Sequence, residues 1–162
     1  MINTATIHSK DDFAGMRKAG QLAAEILDMI AEHVIPGVTT MSLDKKCFEF
    51  ADKNNACIAP LYYKGFPKSV CTSINHVICH GIPSSRVLEE GDIVNIDVTV
   101  IVDGWHGDTS RMYKVGKVNN KAQKLIDCTY EAMMLGINEI APNKKTGDIG
   151  NAIQTYSEAR SY

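Results

Sequence analysis

The sequence predicts an α+β fold in which an antiparallel sheet is backed by helices. Apolar residues recur at helical spacing near both ends of the chain, and the middle alternates β-branched with polar residues. Asp103-Gly104 is a strong signal for a two-residue hairpin turn, because a type I′ turn needs positive φ at both positions. The 162 residues suffice for one domain with its own core, so 1–162 is predicted to be a single domain.

Two helices are predicted before the β-rich segment. The first runs through residues 11–34, with Ser9 as its N-cap and an apolar stripe along one face. That stripe comprises Met16, Ala19, Ala23, Ile26, Leu27 and Ile30. A second amphipathic helix is expected to start near Thr40 or Ser42. Its apolar residues are Leu43, Cys47 and Phe50.

The rest of the chain is assigned in the same way. Residues 56–80 are rich in aromatic and β-branched residues and predict strands and turns. After the hairpin, residues 119–142 predict a third helix that Pro142 stops. Thr146 is predicted to cap a fourth helix.

Bulk composition argues against several classes of protein. The net charge of −2 offers no basic surface for nucleic acid or membrane. Five cysteines without regular spacing indicate free thiols in a reducing cytoplasm rather than a disulfide framework. The N-terminus lacks an apolar signal core, and no apolar run reaches membrane-spanning length. We therefore expect a cytoplasmic protein without nucleic-acid or membrane partners.

The predicted hairpin brings two acidic side chains together. If Asp103-Gly104 forms the turn, counting outward along the strands makes Thr99 face Asp108. Asp97 then shares a face with Asp108 and is its diagonal neighbour, about 7–8 Å away at the backbone. The opposite face can pack under the helices, and it carries Ile96, Val98, Val100 and Val102.

Two neighbouring carboxylates repel each other, and this repulsion has to be offset by a positive charge or by a proton. Without a cation, one of them has its pKa raised, by up to several units if it is buried. Divalent metals favour oxygen ligands, and two metals about 3.5–4 Å apart can share bridging carboxylates. A solvent-exposed face is the alternative, because antiparallel sheets often have one wet side. The metal site is favoured because Asn95 and Thr99 stand beside the acids where solubilising Lys and Glu would be expected.

Two upstream segments carry further candidates. Gly81 and Pro83 predict a fixed turn that aims His80, which can ligate a metal, transfer a proton or stabilise an oxyanion; a structural histidine is the alternative. His106 lies on the same face as Asp108, within reach of contact. An apolar pocket or, equally, ordinary core is indicated by Tyr62, Tyr63, Phe66 and Cys71.

These segments resemble a known family. "YYKGFPKSVCTSINHVICHGIP", "GDIVNIDVTVIVDGWHGDTSRMYKVG" and "MRKAGQLAAEIL" are similar to the bacterial-type (type I) methionine aminopeptidases, from about Phe13 to the end of the chain. The resemblance implies a pita-bread (aminopeptidase/creatinase-like) fold. It also implies removal of the N-terminal methionine from nascent proteins in the cytoplasm, near the ribosome.

The resemblance assigns roles to individual residues. Asp97 and Asp108 match ligands of a centre with two divalent ions, of Co, Mn, Fe or Zn. His80 matches the histidine that contacts the scissile peptide. The positions that line the family's methionine pocket are matched by Tyr63, Phe66 and Cys71. Pro60 stands where some relatives have cysteine, so the rim of the pocket is expected to differ.

In this family a histidine and two glutamates complete the metal site in later segments. The chain is therefore expected to match the N-terminal portion of the pita-bread domain, with its C-terminal part missing and two of five ligands present. A metalloaminopeptidase is the first hypothesis. The alternative is a non-catalytic pita-bread fragment that binds peptides or a partner. A fragment would leave a sheet edge and an apolar face uncovered, which favours self-association.

Overall fold

The computed structural model describes residues 6–162. The chain divides into two compact units, Met1–Lys117 and Val118–Tyr162. The first unit contains α1 (Lys10–Ala31), α2 (Thr40–Lys53), β1 (Cys57–Ile58), a 3-10 turn (Tyr63–Gly65), β2 (Cys71–Ile74), β3 (Ile93–Val102) and β4 (Trp105–Lys114). The second contains α3 (Asn120–Asn138) and α4 (Thr146–Glu158). The predicted α+β class is confirmed, whereas a single domain over 1–162 stays a prediction.

Helix α1 begins at a reciprocal cap. The Ser9 hydroxyl accepts a hydrogen bond from the Asp12 N–H, and the Asp12 carboxylate accepts one from the Ser9 N–H at 2.7 Å. The helix ends at Ala31, three residues before its predicted end. Met16, predicted within the stripe, is 47% exposed. Near its N-terminus the helix packs on the Trp105 ring through Gly15. Its buried stripe comprises Ala19, Leu22, Ala23, Ile26, Leu27 and Ile30.

Helix α2 begins where the sequence predicted. The Thr39 hydroxyl accepts a hydrogen bond from the Ser42 N–H at 3.2 Å, so Thr39 is the N-cap and Thr40 the first helical residue. Asp44 is buried, and its carboxylate accepts hydrogen bonds from the N–H groups of Ser69 and Val70 at 2.7 and 3.1 Å. This helix therefore fixes the backbone that enters β2.

The sheet is antiparallel and centred on β3. Strand β4 pairs with β3 over its whole length, while β2 and β1 pair with separate parts of β3. The turn at Asp103-Gly104 has φ of 52° and 84°, as a type I′ turn requires. The Lys18 ammonium contacts the Asp103 carboxylate at 2.7 Å and joins the turn to α1. The predicted hairpin is confirmed.

The core lies between the helices and one face of the sheet. Residues 96, 98 and 100 of β3 are fully buried there, as predicted. The Tyr113 hydroxyl donates a hydrogen bond to the Leu27 carbonyl at 2.6 Å. Gly107 lies so close to α1 that an added Cβ would be 2.1 Å from the Ala19 carbonyl oxygen. Helix packing therefore takes one face of the hairpin and leaves the other available for a site.

The second unit is a helical pair with little buried surface. Its buried residues all lie on α3 and are small: Cys128, Ala132 and Gly136. The Asn119 side chain caps α3 by accepting a hydrogen bond from the Ala122 N–H at 2.9 Å, and the helix ends at Asn138, four residues before its predicted end. Thr146 is the first residue of α4 rather than its cap.

At the start of α4 the Asp148 carboxylate accepts a hydrogen bond from the Lys145 N–H at 2.8 Å, which makes Lys145 the N-cap. Two findings concern the whole described chain. Across residues 6–162 no helix has the length and apolar character needed to cross a membrane. The five cysteines are free thiols, as predicted.

Candidate metal centre

The hairpin places Asp97 and Asp108 on the face of the sheet away from the core. Asp97 faces Ser110, and Thr99 faces Asp108, so the two carboxylates are diagonal neighbours as the sequence predicted. Asp97 is half-buried and Asp108 is exposed. Two strands joined by a tight turn hold this pair, which fixes its geometry more firmly than a loop would.

The environment of Asp97 disfavours its charged form. Burial raises the pKa of the Asp97 carboxyl, and the negative charge of Asp108 raises it further. His80 acts in the opposite direction and lowers this pKa. A bound cation would relieve both the burial and the repulsion, so the pair has the electrostatics of a cation site.

Cys71 faces Asp97 from the neighbouring strand β2. Burial raises the pKa of its thiol to about 11, with further contributions from Asp97, Cys79 and Asp108. The thiol is therefore neutral near pH 7, and it is poorly suited to act as a nucleophile. A neutral, buried sulfur is suited instead to contact an apolar or thioether side chain.

His80 is held in an unusual backbone conformation. Its φ is +55°, in the left-handed region that residues with a Cβ rarely adopt. The next residue, Gly81, pairs with β2: its carbonyl accepts a hydrogen bond from the Thr72 N–H at 2.8 Å, and its N–H donates to the Ser73 hydroxyl at 3.1 Å. A Cβ at Gly81 would be 2.2 Å from the Thr72 carbonyl oxygen. Residues 80–84 form no hydrogen-bonded turn, so the backbone at His80 is fixed by the pairing of Gly81 with β2 rather than by the predicted turn. Backbone strain of this kind is typical of functional sites.

A cavity of about 960 Å³ unites these residues. The six residues to which the family resemblance assigns a site role line it: Tyr63, Phe66, Cys71, His80, Asp97 and Asp108. Tyr62, a further pocket candidate, is 79% exposed and is not part of the lining. His106 lines the cavity from the predicted face. The cavity therefore combines two carboxylates, imidazole groups and an apolar wall.

Sequence reasoning missed several members of the lining. Ile82 and Ile101 extend the apolar wall, and Lys64 contributes a charge. Ile101 could have been found, because it continues the alternation of Asp97 and Thr99 along β3. Lys64 carried no signal, since its position depends on a turn of irregular backbone.

The donor set fits a divalent metal in part. Carboxylate oxygens suit Mn²⁺, Fe²⁺, Co²⁺ and Zn²⁺. Burial and the charge of Asp108 raise the pKa of Asp97, and a bound cation would lower it again. Among residues 6–162, no three or more His, Cys, Asp or Glu side chains come together in a metal-binding group. Asp97 and Asp108 therefore match part of a coordination shell.

Comparison with known proteins identifies a family that matches nearly the whole chain. The profile of metallopeptidase family M24 matches residues 14–162. The chain is 61% identical over 159 residues to the methionine aminopeptidase of Rickettsia prowazekii (strain Madrid E), an alignment that covers 98% of this chain and 61% of that protein. The chain therefore spans about three fifths of the length of this curated relative.

Solved structures show the same similarity. The crystal structure of methionine aminopeptidase from Rickettsia prowazekii superimposes with a TM-score of 0.97 at 60% identity, covering 98% of this chain and 64% of that one. The Xaa-Pro dipeptidase of Bacillus anthracis superimposes with a TM-score of 0.85 at 21% identity, covering 96% of this chain and 42% of that one. At that identity the second match shows the fold alone, which is the pita-bread fold expected from the sequence.

Proposed function

Because the chain belongs to metallopeptidase family M24, we propose that it carries metal-binding and substrate-binding residues of a methionyl aminopeptidase. This hydrolase would remove the N-terminal methionine of nascent proteins. The observation that carries the proposal is a cavity that Asp97, Asp108 and His80 line together with an apolar wall. Relatives named methionine aminopeptidase at 61% identity support the same assignment.

Asp97 and Asp108 are the proposed metal ligands. Family membership implies use of divalent metal; two ions, of Co, Mn, Fe or Zn, are the finer proposal. When bound, such ions lower the pKa of a water and polarise a carbonyl. The two carboxylates would hold the ions on a rigid hairpin and would give up the proton that burial of Asp97 favours.

The other lining residues would bind different parts of the substrate. Tyr63, Phe66 and the neutral Cys71 thiol would bind the methionine side chain, because aromatic rings and sulfur make favourable contacts with a thioether. His80 would donate a hydrogen bond to the oxyanion that forms at the first carbonyl. Loss of one such donor typically costs about 3–4 kcal/mol of transition-state stabilisation.

The proposed partners and compartment follow from this activity. The substrate would be the N-terminal peptide of a protein emerging from the ribosome, and the site would work in the cytoplasm, where thiols stay reduced. The free thiols support that compartment. The net charge of −2 supports the absence of nucleic-acid and membrane partners.

The proposal is tested by metal binding and by methionine release. Isothermal titration with Mn²⁺ is expected to show binding that weakens at least about 10-fold in Asp97→Asn and Asp108→Asn, since each removes a charged ligand. Mass spectrometry is expected to detect methionine released from Met-Ala-Ser with Mn²⁺ or Co²⁺. Acetylated Met-Ala-Ser serves as the control peptide, because it lacks the free amine.

The outcomes separate the hypotheses. His80→Ala should reduce release by about 10²–10³-fold and leave Mn²⁺ binding intact. Unchanged metal binding in both aspartate variants would refute the site. Binding of metal and peptide by the wild-type chain without any release would support the alternative, a pita-bread chain that binds peptides without cleaving them.

A further inference from the structure

Lys64 lies on a turn whose backbone is locked in a rare conformation. Tyr62 and Lys64 have φ of 67° and 48°, and Gly65 follows with 84°. The turn is closed by backbone hydrogen bonds, including Tyr62 N–H to the Phe66 carbonyl at 2.7 Å and Phe66 N–H to the Tyr63 carbonyl at 3.0 Å. Backbone strain of this kind is characteristic of ligand-binding segments.

The ammonium group of Lys64 is placed at the cavity but is not neutralised. Its Nζ lies 5.4 Å from the centre of the Tyr63 ring, within the range of a cation–π contact, and both residues line the cavity. Within the described residues Lys64 forms no salt bridge with an acidic side chain. Of the lining residues that lie within 6–162, it is also the one Lys or Arg.

The cavity therefore carries opposite charges on separate elements. Asp97 and Asp108 project from the hairpin, whereas Lys64 projects from the turn that precedes β2. In the proposed function bound metal ions compensate the two carboxylates, whereas Lys64 has no acidic partner among the described residues. A peptide whose amino terminus lies at the metal site and which carries an acidic group downstream would supply the negative charge that Lys64 lacks.

We infer that Lys64 forms a carboxylate-binding subsite that selects peptides with an acidic group downstream of their first residue. The inference rests on the proposed function, because it assumes that the amino terminus binds at the aspartate side of the cavity. The group recognised is a carboxylate, either a Glu or Asp side chain or the terminal carboxylate of a short peptide. Lys64 would thus set specificity beyond the methionine pocket.

The experiment compares matched peptides on the 162-residue chain loaded with Mn²⁺. The probes are tetrapeptide amides that begin with Met and carry Glu or Gln at the second, third or fourth position. Their first peptide bond is reduced to CH₂–NH, so they bind without being cleaved. Calorimetry gives the ratio of dissociation constants for each Glu/Gln pair. The variants are Lys64→Met, which keeps the apolar stem, Lys64→Arg, which keeps the charge, and Lys68→Met, which removes a nearby lysine that does not line the cavity.

At low ionic strength the wild-type chain should bind the Glu peptide about two- to fivefold more tightly than its Gln partner at one position at least, as expected for an exposed ion pair. The preference should vanish in Lys64→Met and persist in Lys64→Arg and Lys68→Met. It should also fade in about 1 M salt, where the Debye length is about 3 Å. Peptides with a free terminal carboxylate in place of the amide test whether Lys64 binds that carboxylate rather than a Glu side chain.

Three results would overturn the inference, the first two without affecting the proposed function. Equal binding of Glu and Gln peptides at every position, or a preference that survives Lys64→Met, refutes the subsite and leaves the proposed function standing. If none of the peptides binds although Mn²⁺ does, the peptide site itself is absent, and the proposed function fails together with the subsite.

Discussion

At position 97 a carboxylate is half-buried on a sheet face that also carries Asp108. Burial and the neighbouring charge raise its pKa above the value of about 3.9 expected in the unfolded chain. A raised pKa means that the folded state holds the proton more tightly than the unfolded state. The metal-free protein therefore loses stability as the pH rises from the unfolded pKa to the folded one, and at neutral pH the full cost remains.

Asp97→Asn should therefore stabilise the metal-free protein at pH 7, because the amide has no charge to bury. Urea unfolding in EDTA measures the difference, which should shrink as the pH falls through the raised folded pKa. It should be small well below the unfolded pKa of about 3.9, where the wild-type carboxyl holds its proton in both states. With Mn²⁺ at about 100 times its dissociation constant, the wild type should gain about 2.7 kcal/mol and the variant much less. Asp52→Asn, at an exposed position of α2, should stay within about 0.5 kcal/mol of wild type. Lower stability of metal-free Asp97→Asn at pH 7 would contradict this account.

Strand β4 and helix α1 approach each other at backbone distance. Gly107 permits that approach, because any Cβ there would be 2.1 Å from the Ala19 carbonyl oxygen, a backbone atom that cannot move cheaply. Gly20, one residue further along α1, has open space where its Cβ would lie. Substituting the two glycines therefore tests two effects at this contact separately: steric overlap at Gly107 and backbone freedom at Gly20.

Gly107→Ala should destabilise the protein by at least about 2 kcal/mol, since the overlap forces the hairpin and the helix apart. Gly20→Ala should stabilise it by about 0.5–1 kcal/mol, because alanine restricts the unfolded chain and favours the helix interior. Thermal unfolding followed by circular dichroism compares the two. A Gly107→Ala protein as stable as wild type would show that the hairpin does not pack on α1 as described.

The same elements show what the sequence can predict. The register of β3 and β4 was predictable, because Asp103-Gly104 fixes the turn and side-chain alternation does the rest. The placement of His80 and Lys64 was not fully predictable. Gly81 docks against the backbone of Thr72, and Asp44 holds the entry to β2 from a separate helix. Contacts between such separate segments leave no local pattern in the sequence.

The two units differ in how much each buries. The core of the first extends from Ala19 to Val115 and joins both helices to the sheet. In the second unit only small residues of α3 are buried, whereas large apolar side chains such as Tyr130, Ile137 and Ile140 are 61%, 47% and 69% exposed. Folding costs each unit conformational entropy in proportion to its length. The second unit buries far less apolar surface with which to offset that cost.

A polypeptide of residues 1–117 should therefore fold cooperatively on its own. A polypeptide of residues 118–162 should be largely unfolded, because 45 residues with three small buried side chains cannot form a stable core. Amide dispersion in NMR spectra and a single urea transition would identify the folded fragment. Dispersed spectra from 118–162 alone would contradict the argument, as would an unfolded 1–117, since the hydrophobic core cluster lies within that range. The same pair of fragments tests whether 1–162 behaves as the single domain that its length predicts.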